Sequence, residues 1–338
     1  MHASRLPIGL LCLSCSVNLE SASTDATSHV DVPSLESCRP FGNSVSALEG
    51  RLVPFESSDG TPLWLATSAA IGDQISTATL SAFDPAQCLM GANEFGATPA
   101  LDVSAIGTDL SGRPMGSVTT DTAYLFFSAD HTDGLTSAGY GIARWDAHVS
   151  RFVALGLLWT ADRPSYGSAA VVDGEWLYVF GGLAARFLAA DVYLARAPLA
   201  AIATPAAYEY WAGGGAWTAS ADQALPVVEG GSMPSVSYDA SHQRWLLAYT
   251  TPLSTEISIR SGIGVTGPWS APYVLGRCAL PPNDREAFCG DIVLTRRAPS
   301  ARELLITQSV SSFDRPVQSP PADYWTRLLL APWPSKLP

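Results

Sequence analysis

Residues 171–182 read VVDGEWLYVFGG. Val171 and Val172 lead into Asp173-Gly174, and a stronger apolar run from Trp176 to Phe180 ends on Gly181-Gly182. Strand-like runs joined by Asp-Gly are a sequence signal for a tight β-hairpin. The stretch is thus a strand, a turn and a second strand that ends abruptly.

The same order recurs four more times. The five copies are RLVPFESSDGTPLWLATSAA (51–70), SVTTDTAYLFFSAD (117–130), SAAVVDGEWLYVFGG (168–182), SVSYDASHQRWLLAYT (235–250) and DIVLTRRAPSARELLITQS (291–309). With Leu65, Leu125, Leu177, Leu246 and Leu304 as anchors, the spacings are 60, 52, 69 and 58 residues. A third alternating run follows each hairpin: DQISTATLSAF, GYGIARWDA, ADVYLARAPL, EISIRSGIG and DYWTRLLLA. The third and fourth units add aromatic pieces, AYEYW with GAW and GPWSAPYVL. Repeated antiparallel sheets of three to four strands at this period describe an all-β, five-bladed β-propeller over residues 38–338. A β-sandwich or two stacked barrels would not repeat one strand order five times. First strands are expected near 51, 117, 168, 235 and 291. The last unit has three clear strands, so a fourth is expected from residues near 35–47, closing the ring.

Bulk properties agree. Hydrophobic residues make up 47% of the 338, enough for a large core and too many for a disordered chain. Twenty-eight glycines and 25 prolines suit a turn-rich β protein better than a helical one. The net charge is −12, and Lys336 is the only lysine, with the arginines scattered singly. Such a surface repels a phosphate backbone, so nucleic acid is not an expected partner. No apolar run reaches the 18 or more residues of a membrane span.

The chain opens MHASRLPIGLLCLSCSVNLESASTDATSHVD. A basic start, the apolar run Leu6–Leu13 and small Ser14 before Cys15 read as an export signal over residues 1–15, with Cys15 as a lipid-bearing residue in the lipoprotein reading. Cys12 stands where a lipoprotein signal usually has leucine. Residues 16–37, rich in Ser, Thr and Asp, form a flexible tether. The expected location is outside the cytoplasm: a periplasmic or outer-membrane lipoprotein, or a secreted protein, touching membrane only through that lipid. The other cysteines, Cys38, Cys88, Cys278 and Cys289, are even in number, as in an oxidising compartment. Cys278 and Cys289 bracket ALPPNDREAF and are expected to bridge, which leaves Cys38 with Cys88 by elimination. Four buried thiols are the alternative. A zinc site lacks the CxxC or clustered His it would need.

In a hairpin, the residue before the first strand and the one after the second lie side by side. In a propeller the first strand lines the axis, so these positions share one funnel, while Ser58-Asp59-Gly60 and Asp173-Gly174 mark the opposite face. The funnel then collects Glu49, Asp73, Asp130, His131, Arg163, Tyr166, Glu229 and Asp291 from different blades, and a concave axial pocket with convergent polar groups is the default ligand site. Duller readings stand beside these. Asp130-His131-Thr132-Asp133-Gly134 lacks a full calcium ligand set and reads as a solvated acidic loop. Tyr166, Trp176, Trp245 and Trp269 read as blade core ahead of sugar platforms. GxSxG, HExxH and P-loop motifs are absent. No metal or cofactor is expected, and the chain is expected to be a monomer.

Two stretches, ADVYLARAPLAAIATPAAYEYWAGGGAW (190–217) and RWLLAYTTPLSTEISIRSGIGVTGPWSAPYVL (244–275), carry a family likeness. The chain resembles a family of exported bacterial five-bladed propellers, long catalogued as a domain of unknown function, that includes the endo-D-arabinanases. The resemblance implies glycoside hydrolysis by two acids of the first blade, one before the first strand in Gly-x-Asp and one ending the second strand in Gly-Asp-Thr. Two carboxyls facing each other across the bond suit an oxocarbenium-like transition state. Here the second strand ends LWLATSAA, with Thr67-Ser68 at the aspartate's place, and the upstream counterpart falls at Glu49-Gly50. A hydroxyl without an activating partner does not replace a carboxylate. The expectation is a carbohydrate-associated propeller that binds glycan or cell-surface polysaccharide with degraded or lost catalysis. The alternatives are an active hydrolase using Glu49 and Asp130, and a kelch-like protein-interaction propeller.

Overall fold

In the computed structural model, Asp173 pairs with Trp176 across a two-residue turn whose Gly174 has φ +62°. A side chain rarely adopts that conformation, and glycine takes it without steric cost. The structure describes residues 36–37, 48–56, 62–68, 74–79, 83–84, 89–90, 100–132, 136–186, 189–251, 254–278, 280–281, 283–296, 303–312 and 327–334. The export signal, most of the tether and the Cys38–Cys88 pair lie outside the described residues.

The strands fall into repeated sheets. A short β1 (Glu36–Ser37) precedes the first blade, β2 (Leu48–Glu56), β3 (Pro62–Ser68) and β4 (Gln74–Thr79). A separate ribbon of β5 (Phe83–Asp84) and β6 (Leu89–Met90) follows. The second blade contains β7 (Leu101–Asp102), β8 (Leu110–Thr119), β9 (Ala123–His131), β10 (Ser137–Asp146) and β11 (Arg151–Trp159). The third comprises β12 (Ala169–Asp173), β13 (Trp176–Arg186), β14 (Ala189–Pro198), β15 (Glu209–Trp211) and β16 (Trp217–Thr218). The fourth is β17 (Ser232–Asp239), β18 (Arg244–Thr250), β19 (Glu256–Gly262) and β20 (Tyr273–Arg277). The fifth is β21 (Ala287–Arg296), β22 (Glu303–Ser312) and β23 (Arg327–Pro332).

The leading strands make the ring. β2 lies against β8, β8 against β12, β12 against β17, β17 against β21, and β21 returns to β2. This closed cycle of innermost strands is a β-propeller. β1 pairs antiparallel with β23, Glu36 opposite Leu330, so the N-terminal side supplies the fourth strand of the fifth blade as expected. Several details depart from the sequence reading, among them the third blade, whose five strands, with β15 and β16 beyond β14, exceed the expected three to four. β8 starts at Leu110, ahead of the expected 117, because a register break between Pro114 and Gly116 carries the strand on. β7 adds a parallel fifth strand to the second blade, Leu101 opposite Phe152, which alternation alone does not reveal.

Alternation works differently here from a sheet with one wet face. On β13, Leu177 and Val179 belong to the layer against the second blade, while Tyr178 and Phe180 belong to the layer against the fourth. On β9, Leu125 and Phe127 face the first blade and Phe126 the third. On β18, Leu247 and Tyr249 face one neighbour, and Leu246 and Ala248 the other. Both faces of these three middle strands are therefore buried between blades. Each large side chain so buried stabilises the fold by about 1.5–3 kcal/mol before entropy is counted. The strand does not end on Gly181-Gly182 as the sequence suggested: β13 pairs with β14 through both glycines and on to Arg186, and Gly181 is there because an added Cβ would come within 2.5 Å of the Tyr166 backbone nitrogen. Cys278 and Cys289 are bonded, with Cα atoms 5.9 Å apart, and both are buried in the layer between the fourth and fifth blades.

Candidate functional site

The rim begins at the first hairpin. Leu48 is opposite Ser68 and Glu49 opposite Thr67; the register then breaks and resumes with Val53 opposite Leu65. A one-residue difference in register exchanges the two faces of a strand. The partner position of Glu49 is therefore Thr67, and Ser68 belongs with Leu48.

On the second blade, Leu110 pairs with His131 and Ser111 with Asp130, so both predicted rim residues sit at the funnel end of β9. Asp130 accepts a hydrogen bond from Arg113 Nη2 at 2.9 Å, and its side chain is 25% exposed. His131 Nδ1 lies 3.1 Å from the Asp109 carboxylate, with both groups exposed. Arg163, between the second and third blades, is ion-paired through Nη1 with Asp222, and this hydrogen bond raises its pKa. Tyr166 is fully buried, its ring 5.0 Å from that of Trp159 and 5.6 Å from that of Tyr210. It is part of the layer between the second and third blades, which fits the core reading and takes it off the rim. Burial pushes its phenol pKa up, and its hydroxyl has no hydrogen-bond partner among the described residues. Glu229 is exposed just ahead of β17. Asp73 lies outside the described residues, as does Asp133-Gly134 of the acidic loop.

Asp291 leads to a residue that sequence reasoning missed. It is half-buried in β21, at the register break between Cys289 and Ile292. Its N–H donates to Ser309 Oγ at 2.8 Å, and its charge acts on Arg51. Arg51, on β2, is 5% exposed. Its Nη2 donates to the Ser168 carbonyl at 2.6 Å and the Pro234 carbonyl at 3.2 Å. One guanidinium thus leaves the first blade, crosses the axis and fastens to the third and fourth. Burial lowers its pKa, with the Asp291 charge opposing the shift. The available signal was a charged residue inside an innermost strand, directly before the apolar run Leu52-Val53-Pro54-Phe55.

Arg51 lines an axial cavity of about 100 Å³ with Met115, Ser117, Ser168, Ser235 and Leu294, among others. The serines are engaged: Ser117 donates to the Pro54 carbonyl, Ser168 to the Ser165 carbonyl, and Ser235 accepts from the Leu294 N–H. The backbones run close here. A Cβ on Gly116 would meet the Gly167 carbonyl oxygen at 2.5 Å. The funnel thus has a rim carrying acids from several blades and, at the axis, a buried cation lining a small cavity.

Solved structures share this architecture. A Bacteroides ovatus protein superposes with a TM-score of 0.58 at 13% identity, over 86% of this chain and 87% of that one. The GH43_1 enzyme from Xanthomonas citri, solved with xylose, gives 0.53 at 18% identity over 88% and 90%. An α-L-arabinofuranosidase from Lactobacillus brevis gives 0.51 at 12% identity over 87% and 94%. At these identities the likeness is one of fold. No curated protein matches the chain. The sequence profile of one family matches residues 108–305, more than half of the chain and most of the second to fifth blades. The propeller therefore belongs to the family described as a domain of unknown function, DUF4185.

Proposed function

We propose that the chain is an exported, carbohydrate-associated propeller that binds glycan at the mouth of its axial funnel without the paired-carboxyl hydrolysis of the endo-D-arabinanases it resembles. The observation that carries the reading is the register of the first hairpin: Glu49 has Thr67 opposite it. Hydrolysis through an oxocarbenium-like transition state uses one carboxyl on each side of the scissile bond. A threonine in that place supplies neither a base nor an activated nucleophile. Asp130, the other acid put forward for catalysis, already accepts a hydrogen bond from Arg113 at 2.9 Å, so its carboxylate is engaged within its own blade.

The fold supports the carbohydrate part of this reading, since similar structures include an enzyme solved with xylose and an arabinofuranosidase. Glu49, Asp130, His131 and Glu229 then contribute hydrogen bonds to sugar hydroxyls at the rim. The Cys278–Cys289 bridge supports an oxidising location. Export through residues 1–15 and lipid attachment at Cys15 belong to the same proposal, as does a monomeric state.

A glycan array probed with the purified protein tests it. Retention of arabinose- or xylose-containing glycans, weakened by Glu49→Gln, is the expected result. Absence of binding to any glycan would remove the carbohydrate reading and favour a protein-interaction propeller. Robust hydrolysis by the unmodified protein, abolished by Glu49→Gln, would favour the active hydrolase.

A further inference from the structure

A guanidinium carries five N–H bonds and no acceptor. Arg51 directs Nη2, with two of them, at the carbonyls of Ser168 and Pro234. Nε and Nη1 carry the other three, and neither nitrogen has a hydrogen-bond partner among the described residues. With the side chain 5% exposed, bulk water does not solvate them. Leaving buried charged donors unmatched is strongly unfavourable.

The surroundings define what the site accepts. Among the described residues lining the cavity, Arg51 carries the one formal charge and no carboxylate is present. Asp291 acts on Arg51 electrostatically, from outside that lining and without a hydrogen bond to either free nitrogen. The hydroxyls of Ser117, Ser168 and Ser235 already serve backbone groups. At roughly 30 Å³ per water molecule, the cavity has room for a group of a few heavy atoms. Water would satisfy the N–H groups but add no negative charge to that of Asp291, which acts from outside the lining.

We propose that the axial cavity is an anion site, in which a compact monoanion, a halide or a carboxylate, sits against Nε and Nη1 of Arg51. The anion completes the axle that joins the first blade to the third and fourth, so binding and ring stability are linked. The carboxylate has two sources, a free small acid or the uronic acid unit of a glycan entering the funnel. The halide arm is independent of the glycan proposal.

The test is thermal unfolding of the whole protein in sodium chloride, bromide, formate, galacturonate or galactose. Ionic strength is held constant with sodium morpholinoethanesulfonate, whose tetrahedral three-oxygen head is larger than a halide or a planar carboxylate. Saturable stabilisation by halide and formate, absent with the sulfonate and lost in Arg51→Met, is the expected result. Galacturonate stabilising where galactose does not would assign the site to a glycan carboxylate. Stabilisation by halide and formate alone would assign it to a free anion. Equal salt dependence in wild type and Arg51→Met, or no saturable effect of any anion, would overturn the proposal. Should Arg51→Met fail to fold, Asp291→Asn decides. Relief of one nearby negative charge should tighten halide binding roughly tenfold, and unchanged or weaker binding would overturn the site.

Discussion

Glu49 and Thr67 are directly opposite each other in the first hairpin, one step inside the rim pair of Leu48 and Ser68. Acid–base help from one positioned carboxyl is worth on the order of 100- to 10,000-fold. Wild-type protein is therefore expected to release reducing sugar from arabinan or related furanosides only at background rates. Thr67→Asp, which places an acid at the register position facing Glu49, is expected to raise that rate to a detectable level. Ser68→Asp, opposite Leu48, is not. Sequence position alone left Thr67 and Ser68 undistinguished, because reading inward from a strand end carries an uncertainty of one residue. Equal rescue by both variants, or by neither, would separate the activity from this pairing.

Removing the Cys278–Cys289 bridge should weaken the fold without unmaking it. The link closes a separation of 11 residues and sits in the layer between the fourth and fifth blades. Loop closure of this size is worth about 3 kcal/mol. A Cys278→Ala, Cys289→Ala double variant is expected to shift the urea midpoint down accordingly. Reduced wild type should follow it. A wild type indifferent to reductant, with both thiols free by mass spectrometry, would contradict the bond.

Gly116 tests the crowded axis. Its would-be Cβ meets backbone, the Gly167 carbonyl at 2.5 Å and the Ser168 carbonyl at 3.1 Å, so no rotamer change relieves it. Gly116→Ala must move β8 away from the third blade, next to the carbonyl that holds Arg51. A cost of about 1–3 kcal/mol is expected from overpacking. Chemical denaturation measures it, with Gly156→Ala as the contrast: its Cβ would meet nothing within 4 Å, but at φ +155° it reports backbone cost alone.

The fold was legible in the sequence for a physical reason. Each middle strand is buried on both faces, so the five runs around Leu65, Leu125, Leu177, Leu246 and Leu304 stand out as the most apolar segments, with a turn ahead of each. The rim was legible only as positions. Asp130, His131 and Glu229 could be placed at the funnel from hairpin logic, but the Asp130–Arg113 pair and the burial of Tyr166 arise from neighbours that a linear pattern does not rank. Arg51 was hidden most deeply. Its function as an axle depends on carbonyls 117 and 183 residues away, a relation that exists only once the ring has closed. β7 was missed for a similar reason, being two residues long and defined by its parallel partner in β11.

The outer edge of the third blade offers a prediction with two separable parts. The Arg196 guanidinium carbon lies 4.1 Å from the ring centroids of both Trp176 and Trp217. Its Nε donates to a Glu209 carboxylate oxygen at 2.9 Å, and Nη2 is ion-paired with the same oxygen at 2.7 Å. Trp176 begins β13 and Trp217 begins β16, so the stack ties the hairpin end to the last strand of the sheet. A planar guanidinium can present a face to each ring and its edge to the carboxylate, whereas an ammonium cannot. Arg196→Lys is therefore expected to cost about 1–2 kcal/mol, at roughly 0.5–1 kcal/mol for each cation–π contact. Glu209→Gln, at a carboxylate 41% exposed, should cost under about 1 kcal/mol. Tryptophan fluorescence during urea unfolding reads both variants. The lysine variant should also show altered native emission as the two rings lose their shared partner. Equal small losses for the two substitutions would mean that the carboxylate, and not the stacked rings, holds Arg196 in place.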